Sequence, residues 1–189
     1  MTLATLTELE PIQTSILELH RSATTVQAYE NGLVHGTLQT ERYARAVFEG
    51  AKALYPVSSE DIEAALRARL ARRELVDGSR EFEIILTEQA LTAPVTERDV
   101  IREQLAHLLE CENWPGMRLG VIPASTVLIQ PYPFTILNSV RVELDHYNGP
   151  STVTDPAAAA RFRNVFEHLR GLAVYGDTAR ALITSLLPA

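Results

Sequence analysis

The change of pattern near residue 80 constrains the fold of this 189-residue chain more than any other feature of its sequence. Before it, apolar residues recur at the three- to four-residue spacing of amphipathic helices. After it, short β-branched and aromatic runs bounded by Pro and Gly are typical of strands. Because the two patterns do not alternate regularly, we predict an α+β fold. We interpret 1–189 as a single domain, helical over 1–78 and α+β over 79–189.

Three N-terminal helices are predicted in the helical portion. The apolar spacing predicts the first over 14–29, followed by a linker over 33–36. Thr40 is a suitable N-cap for the second helix, since its hydroxyl can accept a hydrogen bond from a free backbone N–H. Ser58 and Asp61 have capping-box spacing and predict the start of the third.

The α+β portion is predicted to form a mostly antiparallel sheet with one inserted helix and two C-terminal helices. Strands are predicted over 82–86, 117–122, 127–129, 134–137, 140–145 and 151–154. Thr96 and Asp99 have capping-box spacing for the inserted helix. Asp155 followed by Pro156 is typical of a helix start, and Asp177 is a predicted cap for the last helix.

The strand over 140–145 places three charged residues, Arg141, Glu143 and Asp145, on one face. If a helix covers that face, these groups need buried partners, which indicates a ligand pocket. If the face meets water, they are ordinary surface residues. His146 follows at the strand end, where binding groups often collect. Tyr132 lies between two prolines, where its ring can meet a ligand or cover the core, and we favour the core.

A cluster of four arginines, Arg67, Arg69, Arg72 and Arg73, is the densest basic feature of the chain. One reading is a stripe that binds phosphate or an organic acid. The other is a solvated face on a helix whose acidic first turn and basic last turn suit the helix dipole. We interpret the cluster as the solvated face.

Composition and motifs narrow the chemistry. The formal net charge of −7 argues against nucleic acid as the main partner. The single cysteine, Cys111, excludes an intramolecular disulfide and a Cys-rich zinc site, and its two acidic neighbours disfavour a nucleophilic thiolate. No two histidines are three or four residues apart, and nucleotide-binding and hydrolase motifs are absent. We therefore expect no metal and no cofactor.

No uncharged apolar run approaches the roughly 18 to 20 residues that span a bilayer. The first ten residues lack the basic-then-apolar order of a signal peptide. We therefore expect a cytoplasmic protein that has no membrane contact.

Residues 29–46 carry a more specific resemblance. Their sequence, YENGLVHGTLQTERYARA, resembles the Y-x-x-x-L-V-P-G-L-L-Q-T-x-x-Y-A-R-A segment of the DUF5753 domain. Further similar segments follow in order, so that the resemblance spans roughly 15 to 187. They lie at 67–75, 82–91, 102–108, 119–123 and 162–183.

The resemblance implies the C-terminal effector half of actinobacterial helix-turn-helix regulators of the Xre type, often called Scr1-like or antitoxin-like. Two departures stand out. His35 replaces the family's proline and adds a titratable group at a bend. Only about 14 residues precede the match, whereas a helix-turn-helix domain needs roughly three helices. We therefore expect no DNA-binding module in this chain.

Two functions remain open. The first is a regulatory binding module for a small molecule or a small protein, without direct DNA binding, with a homodimer or pairing with a full-length relative as possible assemblies. The second is a cofactor-independent enzyme of specialised metabolism. We favour the binding module. The candidate site residues are His35, Gln39, Tyr43, Tyr132, Arg141, Glu143, Asp145 and His146.

Overall fold

The computed structural model describes residues 8–54, 56–129, 131–145 and 150–187. The helices are α1 (Leu9–Ser22), α2 (Glu41–Ala51), α3 (Ser59–Leu70), α4 (Glu88–Thr92), α5 (Arg98–Cys111), α6 (Pro156–Leu172) and α7 (Gly176–Ser185). The strands are β1 (Thr25–Glu30), β2 (Glu81–Thr87), β3 (Met117–Ile122), β4 (Phe134–Leu137), β5 (Arg141–Leu144) and β6 (Ser151–Val153). Within these ranges, no helix is both long and apolar enough to cross a membrane.

The six strands form one sheet in the order β3-β2-β1-β4-β5-β6. β1 pairs in parallel with β2, and β2 pairs in parallel with β3. The β1–β4, β4–β5 and β5–β6 pairs are antiparallel. This mostly antiparallel sheet, with helices inserted and helices at both ends of the chain, confirms the predicted α+β fold.

The sheet has two differently covered faces. Alternation along β1 puts Ala28 and Glu30 on what we call the first face, and Tyr29 on the second face. On the first face, α5 and α7 cover β2 and β3 through a shared apolar cluster. On the second face, α6 packs through Phe166 against Tyr29 and its neighbours.

The predicted helix over 14–29 is wrong in its second half. α1 ends at Ser22, and the following residues form β1, which pairs with a strand on each side. Thr24, Thr25 and Val26 are β-branched and favour extended backbone. The helical spacing of Ala28 with earlier residues was coincidental, because Ala28 is buried in the sheet itself.

The predicted strand over 127–129 is also wrong. Val127 and Ile129 are 95% and 96% exposed in a loop that pairs with none of the six described strands. Their β-branched side chains suit a strand, but a strand also needs a hydrogen-bonding neighbour. At the start of β5, Val140 lies in a turn and is 62% exposed, so it does not share the buried face of Val142.

Local capping signals had mixed outcomes. Thr40 and Ser58 accept hydrogen bonds from backbone N–H groups at distances of 3.3 and 3.1 Å, as predicted. Asp155 caps α6 in the same way at 2.8 Å. The predicted cap at Thr96 is wrong, since α5 starts one residue later without a side-chain cap. The last helix begins at Gly176, before the predicted cap Asp177.

α1 is attached to α3 at its N-terminus. The two carboxylate oxygens of Asp61 accept hydrogen bonds from the backbone N–H groups of Leu9 and Glu10, at 2.7 and 2.9 Å. Free N–H groups at a helix start need such acceptors, and the helix dipole favours a negative charge there. Asp61 therefore fixes the position of α1 across the first face.

Candidate functional site

A cavity of about 430 Å³ lies between α1 and the first face of the sheet. One wall consists of Ile12, Ile16 and Leu19, which share one side of α1 because of their helical spacing. Thr135 and Leu137 of β4 lie opposite. The rest of the lining is mixed: Gln13 and His20 of α1 are polar, whereas Val34 and Leu137 away from α1 are apolar.

The structure brings five of the eight predicted site residues to this cavity. They are His35, Gln39, Arg141, Glu143 and Asp145. Tyr43 is buried beside it, and its hydroxyl oxygen accepts a hydrogen bond from the Val34 N–H at 3.4 Å. Tyr132 is 81% exposed, does not line the cavity and does not cover the core, so our expectation for it was wrong. His146 lies outside the described residues.

The arginine cluster is not a solvated helix face, which corrects our interpretation. Arg72 is only 3% exposed, and Arg69 and Arg72 both line the cavity. Arg73 donates a hydrogen bond to the Gln39 carbonyl oxygen at 2.9 Å, while Arg67 alone of the four is exposed. The spacing of 69, 72 and 73 places three of them on one side of the chain. That side faces inward, because α1 covers it.

The two cavity arginines are held by amides. Gln13 Oε1 accepts hydrogen bonds from Arg69 Nε, at 3.1 Å, and from Arg72. Arg69 Nη1 donates to Gln39 Oε1 at 2.7 Å, and its guanidinium lies 4.1 Å from the centre of the Phe48 ring. Within the described part of the chain, neither arginine forms an ion pair, and Arg72 Nε has no hydrogen-bond partner.

Burial without a carboxylate partner disfavours the charged form of both side chains. Desolvation lowers the pKa of Arg69 to about 10, against the opposing effect of the acidic groups nearby. It also lowers the pKa of Arg72, and repulsion from Arg69 adds to that effect. Among the described residues, the cavity therefore contains buried positive charge that Asp145 and Glu30 offset in part, without forming an ion pair with either arginine.

The segment that carries the DUF5753 resemblance forms one side of the cavity. The Gln104 carboxamide of α5 accepts from the Thr40 N–H and donates to the Leu38 carbonyl oxygen, each at 2.7 Å. Gln39 Nε2 donates to the Val34 carbonyl oxygen at 2.7 Å. These bonds fix the loop, so that the Gln39 carboxamide oxygen is directed to Arg69.

Gly36 lies where this loop approaches the arginines. A Cβ atom built on Gly36 would lie 2.8 Å from Arg72 Nη1. That distance is shorter than van der Waals contact, so the lack of a side chain allows the guanidinium to lie against the backbone. Any larger residue at position 36 would displace Arg72.

Two buried histidines lie beside Arg72. The rings of His20 and His35 are stacked, with centroids 6.0 Å apart. Burial, and secondarily the charge of Arg72, lowers the pKa of His20 to about 3, and burial lowers the pKa of His35 well below its usual range. Both rings are therefore neutral at pH 7. His35 Nδ1 accepts from the Thr37 N–H at 3.3 Å, which puts its proton on Nε2.

Acidic groups also line the cavity. Burial raises the pKa of Glu30, at the end of β1, to about 8, and the negative charge of Asp145 adds to this, so Glu30 is protonated at neutral pH. Arg141 is paired with Glu143, which also accepts from the Thr152 hydroxyl at 2.9 Å. Glu143 is therefore already neutralised, and Asp145 is exposed at the rim.

Sequence reasoning missed several groups that define this site. They are Gln13, His20, Glu30, Arg69 and Arg72. For the arginines, the spacing of 69, 72 and 73 was a signal that they share one face. For Glu30, no signal existed, because the strand that carries it was read as a helix. In the described ranges, no group of three or more His, Cys, Asp or Glu side chains could hold a metal ion.

Comparison with known sequences gives one match. Residues 13–185 match the family model described as "Domain of unknown function (DUF5753)". No curated protein matches the chain in sequence.

Among solved structures, the similar ones are distant. A phospholipase D family member, Nuc from Salmonella typhimurium, has 11% identity and a TM-score of 0.49, over 87% of this chain and 90% of that one. NucT from Helicobacter pylori has 11% identity and a TM-score of 0.46, over 88% and 92%. TrmBL2, an archaeal chromatin protein, has 12% identity and a TM-score of 0.46, over 89% of this chain and 52% of its own. At identities and TM-scores this low, the likeness supports no conclusion about function.

Proposed function

The chain belongs to the DUF5753 family, and on that premise we propose that it is a regulatory effector domain that binds a small molecule in the cavity beneath α1. One observation carries the proposal: Arg69 and Arg72 line a cavity of about 430 Å³ and form no ion pair with a carboxylate of the described residues. Cavities of a few hundred Å³ with a few convergent polar groups are typical small-molecule sites.

The energetic cost of the arginines supports this proposal. A buried charge without a counter-charge is unfavourable, so a side chain that serves only the fold would be paired or apolar. A ligand that supplies the missing partner would recover part of that cost. Regulation without direct DNA contact remains part of the proposal, and the net charge of −7 supports it.

The proposal is tested by native mass spectrometry of the protein purified without denaturation, with Arg72→Met as the test variant. Arg42 provides a matched control, because it is an exposed arginine that pairs with Asp99 and Glu103 on the surface. We expect a bound small molecule on the wild type and on Arg42→Met, and its loss from Arg72→Met. Equal ligand occupancy in all three proteins, or an empty wild type that no metabolite extract stabilises against heat, contradicts the proposal.

A small protein is the second candidate partner, and one observation favours it. Val127, Ile129 and Tyr132 expose apolar side chains on one loop, at 95%, 96% and 81%. Exposed apolar surface is typical of protein contacts. Replacing Val127 and Ile129 by serine would abolish such binding without changing the occupancy of the cavity.

The enzyme hypothesis is addressed by the same mass spectrometry. Glu30, protonated at neutral pH beside the cavity, is the group with the most suitable pKa for proton transfer. If the released small molecule changes mass on incubation with fresh protein, and Glu30→Gln stops that change, the domain is a catalyst. An unchanged ligand favours the binding module.

A further inference from the structure

We propose that the cavity selects an amphipathic organic acid, with a carboxylate head against Arg69 and Arg72 and an apolar body along α1. This inference rests on the proposed function and specifies its ligand. It follows from how the charges and the apolar side chains are distributed within the cavity.

The head-group end is defined by unfilled hydrogen-bond donors. Arg72 is 3% exposed, and its one hydrogen bond within the described residues goes to the neutral Gln13. Its Nε, also buried, has no hydrogen-bond partner in the part of the chain that the structure describes. A planar guanidinium offers paired N–H groups that match the two oxygens of a carboxylate. Arg69 lies beside it and shares the Gln13 acceptor.

The remainder of that end is neutral and can accommodate an acid. His20 and His35, the closest ionisable side chains on α1 and the adjoining loop, are uncharged at pH 7. His20 Nδ1 is buried and has no hydrogen-bond partner among the residues described. A ligand with a single negative charge is matched by the arginines, so it does not need a positive charge on either histidine ring.

The acidic side chains of the described lining do not form a matching cation site. Glu143 is already paired with Arg141 and hydrogen-bonded to Thr152. Glu30 is protonated at neutral pH, so its carboxyl group can donate a hydrogen bond to a ligand oxygen. Asp145 is exposed, and within the described residues it acts on Arg69 and Arg72 without forming an ion pair with either. Among the described residues of the cavity, the buried charge that has no ion-pair partner is therefore the positive charge of Arg69 and Arg72.

The apolar body of the ligand has a defined surface. Ile12, Ile16 and Leu19 line the cavity from α1 although none of them is fully buried in the protein. Leu137 of β4 lies opposite. Burial of apolar surface stabilises by roughly 25 cal/mol per Å², so a hydrocarbon chain or ring here adds affinity that a small polar acid lacks.

The experiment compares three probes that share one chain and differ in head group: octanoate, 1-octanol and octylamine. Isothermal titration calorimetry on the full chain measures the affinity of each. We expect octanoate to bind at least about tenfold more tightly than 1-octanol, because a hydrogen bond to a charged group contributes roughly 1.5–3 kcal/mol. We expect octylamine to bind most weakly.

Variants assign this preference to the arginines. Arg72→Met should remove the advantage of octanoate and leave the affinity for 1-octanol unchanged, whereas Arg72→Lys should keep part of it. Arg42→Met is the control and should match the wild type. Ile16→Glu gives an independent test at a half-buried position in the cavity wall. The introduced carboxylate would pair with the arginines and exclude octanoate, whereas Ile16→Gln introduces no charge and would not exclude octanoate.

The outcomes separate this inference from the proposed function. If 1-octanol or octylamine binds as tightly as octanoate, or if Arg72→Met and Ile16→Glu leave the octanoate advantage intact, the acid preference is wrong although the cavity still binds a ligand. If no probe binds and the native protein is also empty, the proposed function itself fails.

Discussion

Two arginine clusters, one on each face of the sheet, have different partners. On the second face, Glu83 of β2 accepts from Arg170 Nε at 2.9 Å and from the Tyr175 hydroxyl at 3.0 Å, and it also pairs with Arg118 at 3.3 Å. On the first face, Arg69 and Arg72 lie deeper but meet only amide oxygens within the described residues.

The difference separates a structural group from a binding group. A carboxylate surrounded by donors is complete, and it joins α6 to the strands without needing anything from outside. Guanidiniums that rely on glutamines retain unused charge and unused donors. The contrast predicts that a mutation of Glu83 on the second face lowers the stability of the fold, whereas a mutation of Arg69 or Arg72 on the first face lowers the affinity for the ligand.

The largest expected effect concerns Glu83. Glu83→Ala leaves Arg170 Nε and Nη2 and the Tyr175 hydroxyl without their acceptor, and we expect a loss of about 3 kcal/mol in the free energy of unfolding, measured by urea denaturation. Glu167→Ala is the control, because Glu167 pairs with the same Arg170 but is 58% exposed. It should cost less than about 1 kcal/mol. Equal losses would remove the distinction between the faces.

The second prediction has the opposite sign. Arg72→Met should raise the free energy of unfolding of the ligand-free protein by up to about 2 kcal/mol, since it replaces an unpaired buried charge by an apolar side chain. Gln13 keeps its hydrogen bond from Arg69. A clear loss of stability in the same urea titration would show that Arg72 supports the fold.

The third prediction uses pH. Burial raises the pKa of Glu30 from 4.5 to about 8. The stability of the fold that is linked to this carboxyl group is therefore fully present below about pH 4.5 and is lost as the pH rises through 8. Asp145 and Arg69 are the charged groups that act on it, in opposite directions. Relative to Glu30→Gln, the wild type should lose at most about 1.4 kcal/mol per pH unit over that range.

The control for the pH series comes from the protein itself. His20 and His35, whose pKa values are lowered, destabilise the fold as pH falls below their ordinary 6.5. Because both proteins contain these histidines, their effect cancels in the difference between wild type and Glu30→Gln. A difference that does not change with pH would contradict the buried, protonated state of Glu30.

The smallest change in stability is expected for the exposed loop that contains Val127 and Ile129. Val127→Ser together with Ile129→Ser should change the free energy of unfolding by less than about 0.5 kcal/mol, because both side chains are almost fully exposed. Analytical ultracentrifugation of the same variant tests whether this loop mediates self-association. A large loss of stability would mean that the loop packs on the domain.

Sequence reasoning was reliable where a signal is local. Ser58 and Asp155 cap helices through bonds to residues only three positions away, and those were predicted from spacing alone. It was unreliable where the partner is distant. β1 is a strand because it pairs with β2 and β4, more than fifty residues further along the chain, and helical spacing masked it.

The candidate site was predictable only in part for the same reason. Alternation along β5 predicted that Arg141 and Glu143 share a face but left open whether that face meets a ligand or water, and both residues line the cavity. Arg72 is buried because α1 lies over it. The helix-dipole argument considered only α3 itself, so it could not predict a contact with α1. Tyr132 was misjudged because flanking prolines define a loop without showing what lies next to it.

The attachment of α1 has one further consequence. α1 is joined to α3 by Asp61 at its first turn, and to the arginines by the single oxygen of Gln13 that both donate to. A ligand carboxylate that takes over those donors would release Gln13, so that α1 would keep its hydrogen bonds to Asp61 and its packing through Leu17 but lose this link to the arginines. Coupling of this kind is reciprocal. A second molecule that binds the outer side of α1 and is sensitive to this change would alter the affinity for the ligand. The ligand would alter the affinity for that second molecule by the same factor.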